Sequence, residues 1–115
     1  MKILFVLPRM VTGGVERVTL RLVEGLLEHG HECAFALRRS YGEFLPEAKA
    51  LCPVYEVAAG GLHQFAPKLA QLIRSWQPSH IVTAFADVGV LTHLAIKQSG
   101  HKPYWVHGVH ATHDA

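Results

Sequence analysis

The chain has 115 residues, half of them hydrophobic and 17% charged, which suits one globular domain with a core of its own and excludes disorder. Its formal charge of +2 and sequence pI of about 8.7 make no case for a nucleic-acid partner. Arg38-Arg39 is the single adjacent basic pair and reads as solvated surface.

The opening apolar run, Ile3 to Leu7, is halted by Pro8 and is too short for a signal-peptide core or a membrane span. A cytoplasmic location is therefore expected, with Cys33 and Cys52 reduced. Neither cysteine has a CxxC or zinc-type partner, and both read as small apolar fillers. Aspartate occurs only at 87 and 114, and neither of the first two predicted strands ends in an acid. That disfavours a phospho-acceptor receiver domain and a magnesium-dependent phosphotransferase.

In chain order, residues 2–7 form a continuous apolar run, as expected of a central parallel strand. A turn, Pro8-Arg9-Met10-Val11-Thr12-Gly13-Gly14, leads into an amphipathic helix from Val15 to about His29. Val15, Val18, Leu22, Val23, Leu26 and Leu27 make its apolar face, while Glu16, Arg17, Arg21, Glu24 and Glu28 lie opposite, and Gly30 stops it. Residues 31–37 are a second strand, 43–51 a short helix and 54–58 a weaker third strand. A helix over 65–76 tolerates Pro67 in its first turn. Residues 80–86 make a fourth strand, and Asp87 is placed to cap a helix from Val88 to about Gln98. Residues 102–107 are a fifth strand, and the chain ends Gly108-Val109-His110-Ala111-Thr112-His113-Asp114-Ala115.

Alternating strands and helices imply an α/β, Rossmann-like three-layer sandwich with a parallel sheet and right-handed crossovers. In the order 3-2-1-4-5, strands one and four adjoin where the winding reverses. A crevice then opens at their carboxyl ends. It gathers Arg9 to Gly14, Phe85 to Asp87 and His107 to His110. Gly13 and Gly14 let a ligand approach the backbone, and the N–H groups around Val15 and Glu16 have no intrahelical acceptor. A phosphate site and a plain strand-to-helix turn both fit that element taken alone.

MKILFVLP, TGGVER, LLEHGHE, LAQLIRSWQPSHIVTAF and YWVHGVH, in this order, resemble the N-terminal domain of GT-B glycosyltransferases, most closely the family-4 (group 1) retaining enzymes. The likeness covers nearly the whole chain. It departs at Pro78-Ser79-His80, where the family commonly has Pro-Asp. Such enzymes have two Rossmann-like domains, and the second usually supplies most of the sugar-nucleotide pocket. The expectation is a truncated acceptor-side domain at 1–115, inactive alone, whose principal partner is the absent C-terminal domain.

The resemblance implies transfer of a sugar, with retention, from a nucleotide-sugar donor to a glycan or lipid-linked acceptor, in making cell-envelope polysaccharide or lipopolysaccharide. It assigns the donor diphosphate to the Gly13-Gly14 turn at the helix start, with Val15; the converging strand ends add Arg9 and Asp87 as candidate donor-phosphate or substrate residues. It places His107 or His110 near the transferred sugar, with His107 slightly favoured. No metal or other cofactor is implied. His107, His110, His113 and Asp114 have ligand-like spacing, but the segment lacks helical periodicity, and an adventitious ion is the simpler reading. Lys68 and Arg74 suggest a peripheral contact with the inner membrane face, against which Trp76 and its neighbouring leucines read as core. A non-enzymatic Rossmann-like module binding a nucleotide or a protein is the rival. A NAD-dependent oxidoreductase is disfavoured, because the turn is not G-x-G-x-x-G and the second strand ends in Arg38-Arg39 rather than an acid.

Overall fold

The computed structural model describes residues 1–8, 10, 14–58, 61–83 and 86–107. Its elements are β1 (Lys2–Leu7), α1 (Gly14–Glu28), β2 (Glu32–Leu37), α2 (Leu45–Leu51), β3 (Val54–Glu56), α3 (Phe65–Trp76), β4 (His80–Thr83), α4 (Ala86–Ser99) and β5 (Tyr104–His107). A single 3-10 turn, Leu62–Gln64, leads into α3. All five strands are parallel, in the order β3-β2-β1-β4-β5.

The continuous apolar strands are covered on both faces, as their composition requires. Ile3, Phe5 and Leu7 of β1 face one side with Cys33, Phe35 and Leu37 of β2, and pack against Leu20 and Val23 of α1 and Ala48 of α2. In the paired positions Phe5 and Phe35 the ring centroids lie 5.9 Å apart. Leu4, Val6, Ala34, Ala36 and Ile81 face the other side and meet Phe65, Leu69, Ala70 and Ile73 of α3, with Val88 and Ala95 of α4. The helices thus change face between β3 and β4, which the right-handed crossover rule demands when the strand order reverses at β1 and β4.

Ser79 fastens that junction. Its hydroxyl lies 3.1 Å from both the Lys2 N–H and the Lys2 carbonyl, accepting from one and donating to the other. A carboxylate there could only accept, so the departure from Pro-Asp has a local structural use.

Several sequence expectations need correction. On α1, Val18 and Leu22 are 59% and 48% exposed, whereas Glu16 is only 4% exposed. The helix carries two adjacent stripes, and the sheet takes the one through Glu16, Thr19, Leu20 and Val23. Thr19 fits because its hydroxyl donates to the Val15 carbonyl at 2.7 Å. Ala86 belongs to α4 rather than to β4, and β3 ends at Glu56 rather than 58. α4 starts at Ala86, so Asp87 stands inside the first turn instead of capping a helix that begins at Val88.

The reading of α3 as a core helix holds. Phe65, Leu69 and Ile73 are buried, and Trp76 packs on the core beneath Lys2, whose Nζ is 4.8 Å from the ring centroid. Among the described residues, no helix is long and apolar enough to cross a membrane.

Candidate substrate site

The strand register aligns the carboxyl edge of the sheet. Ala36, Val6, Thr83 and His107 fall in one row across β2, β1, β4 and β5. The switch between β1 and β4 is flanked by the start of α1 and the start of α4. Asp87 and His107 are placed there by backbone position, on α4 and β5. Their side chains lie outside the described residues, as do Arg9, Gly13 and His110 altogether.

Gly14 is the first residue of α1 and is exposed. Its φ is not in the left-handed range, and a Cβ built on it would meet nothing within 4 Å. Neither backbone strain nor packing within the described chain therefore calls for glycine at this point. Val15 follows, half-buried against the α1 side of the core. Glu16 is buried two residues later, about 200° around the helix from Gly14. An acid in the first turn is favourably aligned with the helix dipole, and here it lies on the sheet side while the glycine side stays open.

Backbone bonds hold the approach to this turn. Met10 is fully buried, donates to the Tyr41 carbonyl at 3.0 Å and accepts from the Phe44 N–H at 2.8 Å. Arg38 and Arg39 extend the β1–β2 pairing by donating to the carbonyls of Leu7 and Pro8 at 3.1 and 3.0 Å. The Arg17 guanidinium lies 5.9 Å from the Phe44 ring centroid, which ties α1 to the same connector.

A cavity of about 350 Å³ opens beside this clamp, lined by Arg38, Arg39, Tyr41, Ala58 and Gly61. Arg39 is exposed, as expected of solvated surface, and Arg38 is half-buried; both also line this cavity. Its position just past a predicted strand end was the available signal; the opposing wall at 58 and 61 was not visible in the sequence. Elsewhere, burial pushes up the thiol pKa values of Cys33 and Cys52, that of Cys52 to about 12, and both cysteines are free. Among the described residues, no group of three or more His, Cys, Asp or Glu side chains could hold a metal ion.

A doubly wound parallel sheet whose order reverses at β1 and β4 defines a Rossmann-like domain, a fold that takes ligands at the carboxyl ends of its strands. Fold alone does not choose the chemistry. The family description Glycosyltransferase Family 4 matches residues 12–114, and the chain belongs to that family as a glycosyltransferase N-terminal module. Neither a search of curated proteins nor one of solved structures gives a significant match.

Proposed function

We propose that this chain is the acceptor-side half of a retaining, nucleotide-sugar-dependent glycosyltransferase. The observation that carries the reading is Gly14: an exposed helix start where a Cβ would meet nothing within 4 Å among the described residues, in a chain of this family. The first N–H groups of α1 have no intrahelical acceptor and suit an anion. In this reading Gly13, Gly14 and Val15 receive the donor diphosphate when a second Rossmann-like domain closes over the crevice. Arg9 and Asp87 border the same space.

The reaction breaks the bond between the sugar anomeric carbon and the diphosphate oxygen, and the diphosphate leaves with the electron pair. The acceptor hydroxyl bonds to the carbon on the same face and passes its proton to the departing diphosphate oxygen. Charge builds on the diphosphate, so fixed N–H dipoles in a closed, water-poor cleft lower the barrier without any metal. His107 or His110 holds the transferred sugar or the acceptor. A cytoplasmic site of action, against lipid-linked or glycan acceptors of the cell envelope, fits this role.

The test is turnover by a polypeptide in which this domain is joined to its donor-binding partner, measured as release of nucleoside diphosphate. Gly14→Val should abolish it by filling the open side of the helix start. Comparing His107→Ala with His110→Ala identifies the functional histidine, which should lose at least about a hundredfold. Unchanged turnover in Gly14→Val would overturn the proposal.

A further inference from the structure

The cavity beyond the carboxyl end of β2 has a chemistry of its own, and the proposal made for it rests on the acceptor-side reading above. Arg38 and Arg39 leave the carboxyl end of β2, Tyr41 follows, and Ala58 and Gly61 close the far wall after β3. Arg38 is half-buried, while Arg39 and Tyr41 are exposed. We propose that this cavity binds a phosphoryl group on the acceptor substrate.

Arg39 lines the cavity with Arg38 beside it, and an arginine's forked N–H donors with a second positive charge near suit a phosphate dianion better than a single carboxylate. Glu56, the acid closest in register, pairs with Leu37 and directs one carboxylate oxygen to the Ser40 N–H at 2.8 Å. A volume of about 350 Å³ falls within the range of small-ligand sites. Tyr41 supplies a ring and a phenol for the sugar or glycerol carrying the phosphate.

The walls are held by backbone bonds rather than left to drift. Tyr41 donates to the Arg39 carbonyl at 3.1 Å and accepts from Met10, while Gly61 donates to the Ala58 carbonyl at 3.0 Å. Gly61 has φ +132°, and a Cβ there would come within 2.9 Å of the His63 ring. Glycine is thus required at that wall, and a side chain would strain the backbone. Arg39 donates its backbone N–H to the carbonyl of Pro8, which ties this lining residue to the chain just past β1. An acceptor anchored here by its phosphate would extend toward the place proposed for the donor sugar.

The phosphate could be carried by a soluble sugar phosphate or by a lipid headgroup, and two probes separate them. Glucose 1-phosphate is titrated into the isotopically labelled chain with amide shifts as readout, and cosedimentation is measured with phosphatidylcholine vesicles containing phosphatidic acid. Glucose, glucuronate and pure phosphatidylcholine vesicles are the controls. Shifts at Arg38, Arg39, Tyr41 and Gly61 with glucose 1-phosphate, weakened about tenfold in Arg39→Gln, support a soluble acceptor. Binding only to phosphatidic-acid vesicles, weakened by the same variant, supports a lipid one. Arg39 is exposed, so its replacement does not threaten folding; Arg38→Gln is read alongside it where its amide spectrum is native.

No binding of either probe, binding indifferent to both variants, or glucuronate bound as tightly as glucose 1-phosphate would overturn the proposal. The glycosyltransferase reading fails separately. Phosphate binding here without any sugar transfer by the two-domain polypeptide would sink that reading and leave this one. Transfer that favours neutral acceptors and ignores Arg39→Gln would do the reverse.

Discussion

Trp105 of β5 donates its indole N–H to the hydroxyl of Thr83 on β4 at 3.1 Å. Thr83 is fully buried, and its backbone is aligned with both Val6 and His107. The bond fixes the edge strand near its carboxyl end, two residues before His107. His93 of α4 stacks on the same indole at 5.7 Å between centroids, so strand and helix are held together there. Trp105→Phe keeps most of the packing and removes the donor. It should lower stability by about 1–2 kcal/mol, seen as a lower urea midpoint with an unchanged slope.

Gly14 can be tested for stability apart from activity. A methyl group there meets no neighbour within 4 Å among the described residues, and alanine is the better helix former. Gly14→Ala should leave the chain as stable as before or up to about 1 kcal/mol more stable. In the two-domain polypeptide the same change should raise KM for the sugar nucleotide. A stability loss above about 1 kcal/mol would mean that the glycine serves the fold, and the phosphate reading would lose its support.

Much of the architecture was legible because the strands are unusually apolar and are punctuated by Gly30, Gly61, Pro78 and Gly100. Those features gave five strands and their order, with the reversal at β1 and β4. The orientation of α1 was harder. Val18 and Leu22 look like core residues in any helical count, yet Glu16 and Thr19 share the buried stripe, and only packing against the sheet chooses between stripes. The Arg38–Tyr41 cavity needs residues 58 and 61 as a second wall, a proximity set by β2–β3 pairing rather than by sequence spacing. At the crevice, register places His107 beside Thr83, and backbone position places Asp87 in the first turn of α4.

Gln77 ends α3 in the left-handed region, with φ 55° and ψ 59°, and donates its N–H to the Ile73 carbonyl. Glycine is the common residue in that position because a Cβ is strained there. The side chain recovers part of the cost, since its amide donates to the Arg74 carbonyl at 2.9 Å. Gln77→Gly should therefore be mildly stabilising, by up to about 1 kcal/mol, despite losing that bond. Thermal melts of the two chains decide it; a lower midpoint would show that the side-chain bond outweighs the strain.

Thr92 lies on α4, fully buried, and its hydroxyl finds no hydrogen-bond partner among the described residues. A buried donor left unpaired costs about 1–3 kcal/mol, and valine has nearly the same shape without the hydroxyl. Thr92→Val should stabilise the chain by about 1 kcal/mol or more in chemical denaturation. Thr92→Ser keeps the orphan hydroxyl and removes a methyl, so it should destabilise. If both variants lose stability equally, the hydroxyl has a partner in solution.

Cys52 gives a prediction in pH. Desolvation by burial is the main cause that raises its thiol from 9.0 to about 12, and the neighbouring Cys33 adds to it. Below pH 9 the folded and unfolded chains both hold the proton, and this group makes no pH-dependent contribution. Between pH 9 and about 12 the unfolded thiol ionises while the folded one does not, so the unfolded state binds fewer protons and stability falls as pH rises. Cys52→Ala removes this dependence, and its denaturation midpoint should fall less steeply over that interval than that of the unmodified chain. The thiolate is also the nucleophile, so iodoacetamide at pH 8 should leave Cys52 unmodified in the folded chain and label it promptly in guanidinium chloride. Rapid labelling without denaturant would show that the thiol is less buried than its position between α2 and β3 requires.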